Sequence, residues 1–552
     1  MIPRRVLLDR LDRQVFDVLV IGGGIVGAGI ARDAAMRGLS VALVEQGDFA
    51  GGTSSKTSKL IHGGLRYLEQ GRLKLVAESI HERSILRTIA PDVVAPLSLL
   101  LPIYAGTSRP AWKVRAGLML YDLLAAGRGV MRGELLGKVQ ASACEPALAT
   151  DGLLGAGSYG DCQMDDARLC LLNILQSVSF GAVCLNYVRL RALIKARGHV
   201  QAGAVEDIFT GQAYEVRARV VVNACGPWSD HVRRLSDPAA QTRLAPTKGI
   251  HLIVPRLAAH GLFVEARRDK RPFFILPWGD HSLIGTTESP LDGPLEALRA
   301  EVSEVGYLLE EARRIAPGAA LAEKDVIATF AGARPLLAFA GSSNAASREH
   351  VIEIDRFGLL SIMGGKYTTY RRMAAQTVDS VVRLLSRSVD RCLTDRVALR
   401  EDAALMSLAR WQAVTDTLAP ETTARLISRY GIGCLWLFRL LEQDPSLSKP
   451  ACVHHPYLAA ELIYAIQEEF ACTVTDVLAR RTRMAWSPCH GLDVLPVLVG
   501  WFERYARVPH QRMAKQVDAY CSFLGRAKAS HPTMGLSSTV GRYMEETLTP
   551  LV

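Results

Sequence analysis

FDVLVIGGGIVGAGIARDAAMRGLSVALVEQGD, residues 16–48, reads as a strand, a glycine turn, a helix and a second strand. Val15 to Ile21 is a continuous apolar run of the kind that forms a buried parallel strand, and Ile25 to Met36 has the small and aliphatic spacing of a helix packed on a sheet. Between them Gly22, Gly24 and Gly27 form GxGxxG. The first permits the tight turn, the second lets a pyrophosphate approach the backbone, and the third allows helix and strand to pack closely, with the helix N-terminus supplying N–H groups and positive partial charge. Glu45 closes the second strand at the spacing of a carboxylate that accepts hydrogen bonds from a ribose. A neutral residue followed by Arg would suit a 2′-phosphate, so FAD and NAD are the two candidates this stretch leaves.

The following segment, GGTSSKTSKLIHGGLRYLE, separates them. Thr53, Ser54, Ser55, Thr57 and Ser58 give it a hydroxyl density suited to capping around phosphate and flavin oxygens. His62 and the pair Arg66 and Tyr67 bracket two adjacent glycines, Gly63 and Gly64, which would let the backbone pass close to a flavin. A Rossmann start followed by such a segment resembles the flavoproteins of D-amino-acid oxidase type, with FAD as cofactor.

The 552 residues are enough for two or three packed units, and 49% hydrophobic with 22% charged residues is the composition of a folded protein. A formal charge of +10 points to acidic partners. There is no long Lys/Arg block of the kind that binds nucleic acid, so a phosphorylated small molecule or an anionic membrane surface is favoured. Eleven cysteines without CxxC spacing or clustered histidines argue against a zinc site or disulfide framework and fit reduced thiols in the cytoplasm. No metal site and no calcium loop are expected. The N-terminus has no secretory h-region, and the nearest approach to a membrane-spanning run is cut by Pro96 and Pro102.

From TSSKTSKLIHGGLRYLE onward the sequence resembles the FAD-dependent, quinone-linked glycerol-3-phosphate dehydrogenases. The likeness continues in order through YGDCQMDDARL, VVNACGPWSD, KGIHLIVP, FFILPWGDHSLIGTTE, FAGARPLL, SREHVIEI and GGKYTTYRRMA. AELIYAIQEEFACTVTDVLARRTRMAW resembles the helical C-terminal domain of the same family. Glu288 stands where the family usually has Asp.

The resemblance implies a Rossmann-like FAD-binding domain drawn from about residues 1–90, 150–240 and 350–390, interleaved with an α+β substrate domain mainly from about 240–350. A helical domain, 391–552 and without strand runs, follows. It implies oxidation of sn-glycerol 3-phosphate to dihydroxyacetone phosphate, with electrons passed to ubiquinone or menaquinone. Its matching residues make His251 the first candidate for the base, Arg334 and Arg66, with Tyr67, the phosphate holders, and Lys366 the stabiliser of negative charge.

Two strand-end loops carry chemistry on their own reading: Asn223 and Gly226 after one apolar strand, and Gly364 and Gly365 with Lys366, Tyr367 and Thr368 after another. Cys225 reads as a packing thiol. Arg109 to Arg132 mixes Trp112, Leu118, Met119 and Leu123 with Lys113, Arg115, Arg128 and Arg132, the composition of an amphipathic interfacial element. Peripheral attachment to the inner face of the cell membrane is therefore expected, and a homodimer is carried as an open expectation. An oxidase using oxygen, an amine or amino-acid oxidase, and a flavin-binding scaffold without turnover are the rival readings.

Overall fold

The computed structural model describes residues 2–291, 293–338, 349–400 and 408–527. Ser347 and Arg348 of SREHVIEI lie outside them. The chain divides into Arg4–Val397 and a second unit that begins at Ala398 and includes the first three residues.

In Arg4–Val397 the Val15–Ile21 strand pairs in parallel with Val41–Val44 on one side and Ala213–Asn223 on the other. Leu360–Gly364 and Val183–Leu185 extend the same parallel sheet outward. Buried on both faces, these strands are continuous Val/Leu/Ile runs, as a parallel sheet covered by helices requires. The helix Ile25–Met36 packs against Asp166–Ser179 and Tyr370–Leu385. Its small residues make the approach possible: a Cβ on Gly29 would lie 3.0 Å from the Tyr370 ring.

A second, ten-stranded sheet is mostly antiparallel. Thr247–Pro255 lies between Ala328–Arg334 on one side and His281–Gly285 on the other. From there the order runs through Pro272–Trp278, Gly261–Glu265, Val94–Tyr104 and Leu153–Met164 to Leu60–Ile61. Strands from residues 60–164 thus join the same sheet as those from residues 247–334. The reason is long-range pairing: Val94–Tyr104 finds its partner in Leu153–Met164, some sixty residues away, and nothing local signals that choice. Pro96 and Pro102 fall in this strand outside its short parallel pairing at Leu99 and Leu100, in register with Cys162 and Ala156 of the antiparallel neighbour.

The second unit is largely helical, with helices at Pro420–Tyr430, Cys434–Gln443, Ala459–Glu468, Leu495–Ala506 and His510–Ala527. The fully buried Glu461 holds it together locally, accepting from Arg425 Nη2 at 2.6 Å, Tyr430 Oη at 2.8 Å and the Leu458 backbone N–H at 2.9 Å. One expectation fails here: Pro450–Cys452 and His455–Leu458 form a two-stranded antiparallel ladder. The strands are three and four residues long, too short for a period-2 pattern to stand out.

Candidate active site

The dinucleotide turn is built from backbone. Gly22 has φ of +109°, a conformation L side chains rarely adopt, and its N–H donates to Val44 O at 2.9 Å. A Cβ on Gly27 would overlap the Gly22 carbonyl oxygen, so the third glycine is required by the closure of the turn itself. Gly24 is different, since a Cβ there would meet only Ser54 Oγ, at 3.1 Å. Ser54 Oγ accepts from the Ile25 N–H at 2.9 Å, which places a hydroxyl at the mouth of the helix N-terminus. Glu45 receives the Gly23 N–H at 2.7 Å and the Gly47 N–H at 2.8 Å, while burial pushes its carboxyl above the usual range. An N-terminal cradle open at Gly24, with an oriented carboxylate at the end of the neighbouring strand, fits the diphosphate and ribose of FAD.

The hydroxyl segment then crosses to the second sheet. Thr53 Oγ1 donates to Ala333 O at 2.7 Å, and a Cβ on Gly332 would lie 2.8 Å from Lys56 O, so TSSKTSK packs on the strand of FAGARPLL. Ser58 Oγ lies 2.9 Å from His251 Nε2. Ser55 has a plainer role, since its carbonyl accepts from Lys59 Nζ at 2.7 Å. Lys59 also pairs with Asp166 at 2.7 Å, and Thr57 Oγ1 donates to the other Asp166 oxygen at 2.8 Å. This buried pair, anchoring the segment to the helix Asp166–Ser179, escaped the sequence reading. The acidic MDD run within an apolar stretch was its signal.

His251 sits in Thr247–Pro255, 3% exposed, with Phe330 of the neighbouring strand stacked on it at 4.9 Å between ring centroids. Its strand partner on the other side is Gly285, where a Cβ would overlap the imidazole. Nε2 faces Ser58, and Nδ1 is buried with no hydrogen-bond partner. Burial first, then the positive charges of Arg334 and Lys59, hold the imidazole well below the usual His range, so it is neutral at pH 7. Arg334 Nη2 donates to Thr286 Oγ1 and Thr287 O, both at 2.9 Å. A Cβ on Gly249 would lie 2.5 Å from that nitrogen. Gly249, Gly285 and Phe330 shape the pocket and were not singled out in the sequence, because each acts across a strand pairing. Glu288 is exposed and uses its backbone carbonyl to accept from Arg271.

A second set gathers on Tyr67, which is 3% exposed. The Arg66 guanidinium lies 5.0 Å from its ring centroid and Lys366 Nζ 4.5 Å. Lys366 Nζ also donates to Ser79 Oγ at 2.8 Å. The His62 N–H donates to Thr368 Oγ1 at 3.3 Å, and Tyr367 Oη donates to Asp166 O at 2.5 Å.

For the glycine pair the structure supplies packing reasons. The Gly63 N–H donates to Asp161 Oδ1 at 3.0 Å, within a buried cluster of Asp161, Arg83 and Tyr121, and a Cβ there would overlap the Tyr121 hydroxyl. A Cβ on Gly64, where φ is +81°, would overlap the Tyr67 ring. A Cβ on Gly365 would likewise overlap Met373. Asn223 is fully buried and ties its strand to Ser229 O at 2.9 Å and Ser361 Oγ at 3.2 Å, while the Cβ direction of Gly226 is open. Cys225 is a packing thiol, donating to Ile21 O at 3.3 Å with its pKa raised by burial.

With this geometry in hand, comparison with known proteins is decisive. Residues 17–371 match the family described as FAD dependent oxidoreductase, and residues 360–512 match the C-terminal domain of alpha-glycerophosphate oxidase. The Mycobacterium bovis protein named glycerol-3-phosphate dehydrogenase 2 is 37% identical over 90% of this chain and 87% of its own length. The chain belongs to the FAD-dependent glycerol-3-phosphate dehydrogenase family. It is an oxidoreductase of that type, with FAD as its cofactor. The Synechocystis glycerol-3-phosphate dehydrogenase is 35% identical over 93% of this chain and 97% of its own. The human mitochondrial glycerol-3-phosphate dehydrogenase is 34% identical over 94% and 74%. Among solved structures, glycerol-3-phosphate dehydrogenase from Bacillus halodurans complexed with FAD superposes with a TM-score of 0.74 at 28% identity, covering 96% of this chain and 98% of that one.

Proposed function

We propose that this flavoenzyme oxidises sn-glycerol 3-phosphate to dihydroxyacetone phosphate and delivers the electrons to ubiquinone or menaquinone. The observation that carries the reading is His251: a buried, neutral imidazole with one unengaged ring nitrogen, in a pocket made cationic by Arg334 and Lys59. A neutral imidazole accepts the C2 hydroxyl proton as the C–H bond breaks. FAD, when bound, supplies the two-electron acceptor for the C2 hydride at flavin N5. Arg334, braced by Thr286 and Thr287, presents a fixed guanidinium to the phosphate, and Arg66 with Tyr67 holds it from a second direction. Lys366 keeps a positive charge beside negative charge that develops at the reacting centre. Holding the phosphate fixes the C2 carbon relative to the base, which turns binding into rate.

The membrane side rests on the helix Ala111–Ala125. It buries Val114, Leu118 and Tyr121 yet leaves Trp112, Met119 and Leu123 at 72, 64 and 74% exposure, with Arg115, Arg128 and Arg132 exposed nearby. No helix among the described residues is long and apolar enough to cross a membrane. Docking of this face on the anionic inner surface of the cell membrane would meet a lipid-soluble quinone where it resides.

Anaerobic addition of sn-glycerol 3-phosphate to the purified enzyme should bleach the flavin absorbance, and glycine or proline should not. Bleaching by the amino acids alone would replace the substrate assignment. Stoichiometric hydrogen peroxide in air, with no reduction of a quinone analogue, would replace quinone by oxygen as acceptor.

A further inference from the structure

The two-stranded ladder of the second unit closes on a turn whose flanking residues, Cys452 and His455, are paired across it. This is a C-x-x-H spacing. It departs from the C-x-x-C spacing that marks paired thiolates in a sequence, and it places a histidine beside a cysteine where none was expected. The fold brings a third soft donor to the same turn: Cys489 Sγ lies 3.8 Å from Cys452 Sγ and 3.4 Å from His455 Nε2. The three donor atoms all lie within 4.8 Å of one another.

The Sγ–Sγ and Cys489 Sγ–Nε2 separations match two edges of a coordination tetrahedron. With Zn–S bonds near 2.3 Å and Zn–N bonds of 2.0–2.1 Å, neighbouring sulfurs stand about 3.8 Å apart, and sulfur and nitrogen about 3.5 Å apart. Each sulfur also receives the N–H of the residue two places on: His454 N–H to Cys452 Sγ and Gly491 N–H to Cys489 Sγ, both at 3.4 Å. Such N–H donors stabilise thiolate charge, and their equal placement at both cysteines makes the turns knuckle-like. We propose that Cys452, Cys489 and His455 form a binding site for a thiophilic divalent cation of the zinc type, which clips the ladder to the 487–491 loop. The Asp493 carboxylate is a hydrogen-bond partner of the Cys452 thiol.

Ser487 Oγ donates to Met484 O at 2.7 Å and lies 2.8 Å from His455 Nε2, which orients the ring toward the turn. Coordination needs both cysteines as thiolates, so binding releases their protons and affinity rises with pH. All three donors belong to the second unit, and the site is assigned a clip within it.

The test uses the full FAD-loaded enzyme, stripped with a chelator and then given Zn²⁺ or Co²⁺. We expect about one metal per chain, thiolate-to-cobalt charge-transfer and tetrahedral ligand-field bands in the difference spectrum, and a higher melting temperature. In Cys452→Ser/Cys489→Ser the metal should be lost while flavin per chain is unchanged. A measurement on the unaltered protein covers a variant that fails to fold: Zn²⁺ should shield Cys452 and Cys489 from alkylation and leave Cys144 and Cys521 as reactive as before. Full metal retention by the double variant, or alkylation of Cys452 and Cys489 indifferent to Zn²⁺, would overturn the proposal. So would a Cys452–Cys489 disulfide that persists in the reduced, metal-treated enzyme.

Discussion

The glycine cradle at residues 22–27 and the pocket around His251 are both held open by missing side chains, but in opposite ways. In the cradle, Gly27 makes room for the backbone of Gly22, a neighbour on the same turn. In the pocket, Gly285 and Gly249 make room for side chains, His251 and Arg334, on adjacent strands. Crowded backbone has nowhere to go, whereas a crowded side chain moves and takes its function with it. Damage in the first region should therefore appear as loss of the cofactor, and damage in the second as loss of rate with the cofactor in place.

The largest separation comes from Gly27→Ala. Its Cβ would overlap the Gly22 carbonyl oxygen, and relieving that overlap costs on the order of 3 kcal/mol. We expect a protein that purifies colourless with a lowered melting temperature, whereas Gly24→Ala, meeting only the Ser54 hydroxyl, should keep its fold. A yellow, stable Gly27→Ala would erase the contrast. Next is His251→Asn, which should retain flavin absorbance and lower kcat/KM by about 10²–10⁴, the usual worth of a general base. Gly285→Ala should mimic it more weakly, by up to about 10²-fold, because the ring is displaced and not removed. Combined with His251→Asn it should add little, since both act on one imidazole. Additive losses would mean that Gly285 serves something other than the ring.

Arg334→Met should raise KM for sn-glycerol 3-phosphate by the equivalent of about 1.5–3 kcal/mol and leave slow glycerol oxidation nearly unchanged. Equal losses on both substrates would remove the phosphate role. The smallest effect is in the pH profile. Because His251 is depressed below its ordinary value, its unfolded form takes up a proton first as pH falls. The stability it contributes is complete above about 6.5 and declines below that, toward the lower folded value. The acid limb of kcat/KM should likewise begin well below 6.5 and be absent in His251→Asn.

The same contrast explains what was legible in the sequence. The turn and Glu45 could be read because the contacts that close them, Gly27 on the Gly22 carbonyl and Glu45 on the Gly23 and Gly47 N–H groups, are local or one strand away. The roles proposed for His251 and Arg334 rest on family resemblance; their packing partners were not legible, because Gly285 and Gly249 are recognisable only once strand register is known. Gly63 and Gly64 carry a further constraint that the sequence does not show. They were read as clearance for a ligand, and their immediate neighbours are Tyr121 and Tyr67, from a helix and a turn that the local pattern did not connect to them. The Lys59–Asp166 pair was out of reach for the same reason, being 107 residues apart in sequence.

The register that pairs Gly285 with His251 also has a historical consequence. An imidazole could enter position 251 only in a lineage that already carried glycine at 285, and that glycine could be replaced only after the imidazole had gone. The same order binds the guanidinium at 334 to the glycine at 249. Among descendants of this scaffold, each pair should change as a unit or not at all. An alignment deep enough to include members that have abandoned the histidine should show larger residues at 285 in those members and in no others.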